Sequence, residues 1–239
     1  MTSRNDPTSS DAAVTYVSYL KIDELLALQE PLSSGPEHDE LLFIIIHQTY
    51  ELWFKSLLHE LHRAHVTLEA GDSHLSLGLL GRVRTILKTL VGQVDILETM
   101  TPLQFNTFRD RLDAASGFQS RQFRQLESLL GGRQPEQNGL WGSVIMYLAS
   151  RNHVPAAGQR GVNDMLIDVY RNDPEASLVL ERLVDIDEGL QEWRYRHVKM
   201  VERTIGAKPG TGGSSGAQYL ATTLFKPVFP ELWEVRSEF

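Results

Sequence analysis

The stretch "FIIIHQTYELWFK", Phe43 to Lys55, decides how this chain is read. Its apolar residues, with Leu41, Leu42, Leu57 and Leu58 on either side, are dense enough for a buried helix. Helical three-to-four spacing extends from Asp39 to about Ala70. His47 sits amid the apolar residues. An unpaired polar group buried there would cost about 1–3 kcal/mol, so His47 needs a partner or a ligand.

The periodicity stops at "GDSH", Gly71 to His74, and resumes from about Leu75 to Met100, which predicts two long helices paired antiparallel across a short turn. Upstream, Tyr16 to Gln29 is expected to be partly helical, with Asp23 as a cap, and Glu30 to Glu40 carries the Pro, Gly and Ser of a loop. Downstream, Thr101 is placed to cap a helix with Pro102 in its first turn, putting Arg109 on the face of Phe105 and Phe108. A helix from Ser120 to Leu130 should stop at Gly131–Gly132, and a last long helix should run from about Pro174 to Ile205. The segment 133–163 is the least periodic, with one apolar patch, "LWGSVIMYLA", and is expected to be variable surface. No repeat appears and few segments alternate in the strand period. The expected fold class is all-α, a helical bundle: a flexible terminus over 1–13, then a single domain over 14–239.

The 239 residues are 41% hydrophobic, enough for a sizeable core. A net charge of -8, with no run of basic residues, argues against a nucleic-acid partner. There is neither a signal-peptide h-region nor a membrane-length apolar run, so no membrane is expected and the chain reads as cytoplasmic. The absence of cysteine removes disulfides, iron–sulfur clusters, zinc–thiolate sites and thiol catalysis. It also means that a haem, if bound, would most simply take histidine.

There are eight histidines. His59, His62 and His65 do not match the H-E-x-x-H zinc spacing and read as a solvated edge. His38, His74 and His153 lie in loop-like sequence. His197 is different, because "WRYRHVKMVERTIG" gives it an apolar face (Val198, Met200, Val201, Ile205) and a charged one (Arg194, Arg196, Lys199, Glu202, Arg203). A neutral imidazole facing an apolar cavity beside arginines suits a haem, whose iron takes the nitrogen while cations meet the propionates. A core histidine bonded to a backbone carbonyl would look the same in sequence. "GTGGSSG", Gly210 to Gly216, lacks the strand and the Gly-Lys-Ser/Thr of a P-loop; it reads either as a linker or as a lid presenting Thr211 to a ligand.

Taken together, "YVSYLKIDELLALQ", "HDELLFIIIHQTYELWFK", "FNTFRDRLDAASGFQSRQFRQLE", "WRYRHVKMVERTIGAKPGTGGSSGAQYL" and the closing "FPELW" resemble the tryptophan 2,3-dioxygenase family, from Tyr16 to the C-terminus except the middle. The resemblance implies an all-helical homotetramer that carries haem b, ferrous when active. It would use O₂ as co-substrate and open the indole ring of L-tryptophan to N-formylkynurenine, a step of tryptophan catabolism. It implies that His197 is the proximal iron ligand and that His47 is the distal catalytic histidine, bonded to the indole N–H. Arg109 would clamp the substrate carboxylate, Phe43 and Phe105 would wall the indole, and Thr211 would meet the amino-acid end. Ser116 and Gly117 would form the turn at the haem edge. Tyr16, Tyr19 and Leu20 would reach into a neighbouring subunit's pocket.

Two departures from the family pattern stand out. The chain is shorter than expected between Arg124 and Asp185, and Val94 occupies a position where the family often places an aromatic residue. They leave room for a second reading, a haem monooxygenase acting on L-tryptophan or a modified tryptophan such as a β-methyl derivative in natural-product biosynthesis, with an oxindole-type product. A third reading is a haem sensor or carrier, which would have no use for an Arg109–Thr211 clamp.

Overall fold

The computed structural model describes residues 13–35, 37–131, 139–156, 161–211 and 216–239. Expectations for the first dozen residues, for Gly132, for 133–138 and 157–160 and for the centre of the glycine loop lie outside the described residues. Every described element is helical, as the all-α expectation requires. The elements are α1 (Tyr16–Leu20), α2 (Ile22–Leu26), α3 (Asp39–Glu69), α4 (Ser73–Leu97), α5 (Pro102–Phe108), α6 (Arg121–Leu130), α7 (Leu140–Ser150), α8 (Gly161–Asn172), α9 (Pro174–Ile205), α10 (Ala217–Ala221) and α11 (Pro230–Glu234). No helix among the described residues is long and apolar enough to cross a membrane.

The bundle is built on α4, which packs against both α3 and α9. Buried residues recur along α3 at Leu57, Leu61, Ala64 and Leu68, and along α4 at Val83, Leu87, Leu90 and Val94, the three-to-four spacing that makes one continuous apolar stripe. The α3–α4 turn carries Gly71 at φ +74, a conformation that costs glycine little, and the Asp72 side chain caps α4 by accepting from the Leu75 N–H at 2.9 Å. Asp173 caps α9 in the same way, accepting from Ala176, with Pro174 in the first turn. Thr101 and Gln104 form a reciprocal capping box on α5.

The structure corrects several expectations. Lys21, at φ +54, precedes α2, and Asp23 lies inside its first turn rather than capping it. The first half of α3 is buried on one side only: Ile46 and Phe54 are buried, whereas Leu41, Ile45 and Leu52 are exposed because none of the described residues covers that face. The "variable" segment contains α7, whose Leu140, Val144 and Leu148 are fully buried, and the unanticipated α8 follows it. His74 is helical, not in a loop. His65 is not on a solvated edge, since its Nδ1 meets the buried Ser143 hydroxyl of α7 and its Nε2 lies 3.4 Å from Glu69. His153 lies in the loop after α7, as expected, and there sits between Asp168 and Asp173 at 3.1 and 3.2 Å.

Two polar anchors tie chain ends to the bundle. Glu40, buried in the first turn of α3, accepts from the N–H groups of Leu32 and Ser33 and so holds the α2–α3 loop. These bonds keep its carboxyl below the usual range despite the burial that opposes ionisation. Asp187, buried in the middle of α9, accepts from the N–H groups of Val228 and Phe229 and from the Trp233 indole at 2.8–3.0 Å, which pins the C-terminal segment.

Candidate active site

A cavity of about 550 Å³ opens between α3, α5, α6 and α9 and the loop after α9. Its size suits a cofactor or drug-sized ligand, and its wall is mainly apolar and aromatic with a few convergent polar groups. The structure brings Phe43, His47, Phe105, Arg109, Ser116, Gly117, His197 and Thr211 to this one wall. They come from five separate places in the chain.

His47 and His197 approach from α3 and α9. The Nδ1 of His47 lies 2.7 Å from the Phe43 carbonyl, one turn back on the same helix. A carbonyl can only accept, so Nδ1 carries the proton and Nε2 is left with a lone pair available to the cavity. Part of the puzzle of a histidine in an apolar helix is resolved here: one nitrogen is satisfied by the helix and the other faces open space. The ring is not buried, as its apolar neighbours suggest, but exposed where it meets the cavity; the protein packed around it still lowers its pKa by desolvation, partly offset by the Phe43 hydrogen bond and the charge of Glu51. His197 is pushed down to about 4, by burial first and then by His47, whose proximity disfavours a second positive charge. Both imidazoles are therefore neutral near pH 7.

Phe43 packs against the His47 ring at 4.0 Å between centroids and meets Phe105 at 5.9 Å and Phe108 at 5.6 Å. These rings form an apolar slot next to the His47 Nε2. Arg109 caps the C-terminus of α5 in helical conformation, its N–H donating to the Phe105 carbonyl, so it shares a face with Phe105 as the spacing predicts, and it opens a 3₁₀ turn. Its guanidinium donates to the Pro209 carbonyl at 2.5 Å and retains other N–H groups. Gly210 and Thr211 follow on that same strip of backbone. Gly216, where the loop returns, has φ +64, and a Cβ there would lie 2.7 Å from the Lys208 carbonyl, so only glycine fits.

Of the charges expected around His197, only Arg194 lies on the cavity wall, held by Glu127 at 3.1 Å and by the Lys226 carbonyl at 3.0 Å. Arg196 instead pairs with Asp95 and Glu98, and Lys199 with Glu202, because the helix turns them away from the cavity. With Arg109 and Arg194, Arg124 of α6 is the third arginine on the wall. Tyr16, Tyr19 and Leu20 take no part in this chain's cavity and are exposed.

The model of the family described as tryptophan 2,3-dioxygenase matches residues 2–139 and 150–239. The chain belongs to the tryptophan 2,3-dioxygenase family. Among its relatives, a protein of Anaeromyxobacter sp. (strain K) named tryptophan 2,3-dioxygenase is 55% identical over 262 aligned positions, covering 97% of this chain and 98% of the relative. One of Herpetosiphon aurantiacus with the same name is 52% identical, covering 95% and 98%. One of Caulobacter vibrioides, also so named, is 41% identical, covering 94% and 98%. The first alignment is longer than the chain's 239 residues, so the relative carries residues that this member of the tryptophan 2,3-dioxygenase family lacks. The family model skips 140–149, inside the segment whose shortness the sequence suggested.

Reading this tryptophan 2,3-dioxygenase family member from sequence alone missed several wall residues: Trp193, Phe108, Tyr50 and Arg124. Trp193 stands four residues before His197 and Tyr50 three after His47, so helical spacing was an available signal for both. The Tyr50 hydroxyl donates to the Leu90 carbonyl at 2.7 Å, and burial pushes its pKa up to about 12, which keeps it a neutral phenol.

Proposed function

We propose that this chain is a haem-dependent tryptophan 2,3-dioxygenase, inserting O₂ across the C2–C3 bond of the L-tryptophan indole to give N-formylkynurenine. The observation that carries the proposal is the meeting of two neutral histidines, an aromatic slot and an arginine in one largely apolar cavity. The full-length likeness to relatives named tryptophan 2,3-dioxygenase supports the same reading over the monooxygenase and sensor alternatives.

The residues present fit a haem. His197 makes no hydrogen bond to any described residue, so a ring nitrogen is free to ligate, and no three His, Asp or Glu side chains among the described residues converge as a set for a bare metal ion. Ser116 and Gly117 would line the edge of the group, with Arg194 and Arg124 as the cations facing its propionates. Haem, when bound, supplies the iron that takes up and activates O₂.

The protein's own contribution is orientation, polarity and exclusion of water. His47, its Nδ1–H committed to Phe43, accepts the indole N–H on Nε2 and so fixes which edge of the ring faces the cofactor. Phe43 and Phe105 hold the ring plane. Arg109 takes the carboxylate, a planar two-pronged task suited to guanidinium, and Thr211 meets the ammonium and carboxylate. Held at both ends, the substrate reacts with its translational and rotational freedom already spent.

The exposed apolar residues of the N-terminal segment support a homo-oligomer, expected to be a tetramer, in which Tyr16, Tyr19 and Leu20 close a neighbouring copy's pocket. The test is aerobic turnover of L-tryptophan by the reduced, haem-loaded protein. Ring-opened product supports the proposal; an intact oxygenated indole overturns it.

A further inference from the structure

We infer that Trp193 is the positioning residue for His197, fixing the plane of its imidazole by stacking instead of by a hydrogen bond. The inference rests on the reading of His197 as haem ligand. Three half-buried or exposed histidines on long helices can be compared. His47 ties Nδ1 to the carbonyl four residues back, Phe43, at 2.7 Å, and His62 does the same with Leu58 at 2.5 Å. His197 has the same option with the Trp193 carbonyl and does not use it; among the described residues nothing accepts from or donates to its ring. Its ring lies instead nearly parallel to the Trp193 indole in an offset stack, the centroids 5.2 Å apart and the planes 13° from parallel.

The indole is itself immobilised. Trp193 is 9% exposed and meets Phe123 at 5.1 Å, Tyr50 at 6.2 Å and Phe54 at 6.4 Å, rings from α6 and α3. A flat, packed wall one turn before a histidine restricts rotation about its last torsion, which is otherwise broad. Ligating histidines usually gain both orientation and basicity from a hydrogen bond on the second nitrogen. Stacking gives the orientation without the added basicity. The indole Nε1–H is buried, makes no hydrogen bond within normal geometry among the described residues and has only the Tyr50 hydroxyl near it, so what Trp193 presents to His197 is its ring face.

The test uses the full chain with Trp193→Phe, Trp193→Leu and, as control, His197→Ala. In the wild-type apoprotein the His197 ring-proton signals, assigned by their loss in His197→Ala, should lie upfield through the indole ring current; Trp193→Leu should abolish that shift. In titration with ferric haem, Trp193→Phe should bind nearly as well as wild type, whereas Trp193→Leu should lose roughly 10- to 100-fold, the usual cost of disrupting a ligand's support. The iron–histidine stretching band of the reduced Trp193→Leu protein should broaden. Unshifted ring protons, unchanged haem affinity in Trp193→Leu, or a loss in Trp193→Phe as large as in Trp193→Leu would each overturn the inference. Should Trp193→Leu not fold, the wild-type ring-proton position still decides. Haem retained unchanged by His197→Ala would instead overturn the ligand assignment, leaving the apoprotein signals to judge the stacking.

Discussion

The Phe43 carbonyl accepts from the His47 Nδ1 at 2.7 Å, and the Phe43 ring packs on the same imidazole at 4.0 Å. One residue thus fixes both the tautomer and the tilt of His47. With Nε2 left as an acceptor, His47→Ala should lower kcat/KM for L-tryptophan about tenfold, the worth of one hydrogen bond in a dry site. The decisive comparison is with 1-methyl-L-tryptophan, which lacks the indole N–H. Wild type should discriminate against it and His47→Ala should not; equal discrimination by both proteins would remove His47 from the substrate.

Arg109 engages the Pro209 carbonyl with part of its donor set, leaving donors for a carboxylate. Arg109→Ala should weaken L-tryptophan binding on the order of a hundredfold, about 2–3 kcal/mol for a charge-assisted pair, with haem content intact. Spectrophotometric titration of the haem-loaded variant checks this, and an unaltered affinity would undo the clamp.

Asp187 serves three donors of the C-terminal segment from inside the core. Asp187→Ala leaves the buried Phe229 N–H unpaired and releases the half-buried Val228 N–H and the exposed Trp233 indole, which should cost about 1–3 kcal/mol in chemical denaturation. A midpoint unchanged at constant slope would mean that the segment adds nothing to the bundle.

Asp173 receives both prongs of Arg151 at 2.7 and 2.8 Å and caps α9. The guanidinium holds its carboxyl well below the usual carboxylate range. Because the unfolded chain then binds the proton more readily, stability rises with pH: the contribution is complete above the ordinary carboxylate pKa of about 4 and drains away below it. Asp173→Asn should cost about 2 kcal/mol at pH 7 and flatten the acid limb of the stability profile. An acid limb as steep as wild type's would place that titration elsewhere.

Tyr16, Tyr19 and Leu20 are exposed and outside this chain's cavity. Removing residues 1–19 should leave the thermal midpoint of the bundle nearly unchanged while impairing turnover, if a neighbouring copy supplies them. Full turnover by the truncated protein would show that each cavity is complete in one chain.

The long helices α3, α4 and α9 were legible because their apolar spacing is sustained over many turns and their ends carry Asp or Gly–Asp signals. α8 was not, since "GVNDMLIDVYRN" is polar on most of its surface and its boundary signals resemble a loop. The exposure of Leu41, Ile45 and Leu52 could not be read from composition, because apolar residues look the same whether their cover is in this chain or another. At the site, the family motifs carried His47, Arg109 and His197, and the structure brings them to one cavity. The anchors of Asp187 were out of reach: partners more than forty residues apart leave no periodic trace.

The central claim is that this cavity directs both atoms of O₂ into the indole of L-tryptophan. The measurement that tests it most directly is the product mass after single turnover of the reduced, haem-loaded protein with L-tryptophan under ¹⁸O₂. Two labelled oxygens in a ring-opened product are predicted. One labelled oxygen in an intact ring would contradict the account and identify a monooxygenase on the same scaffold.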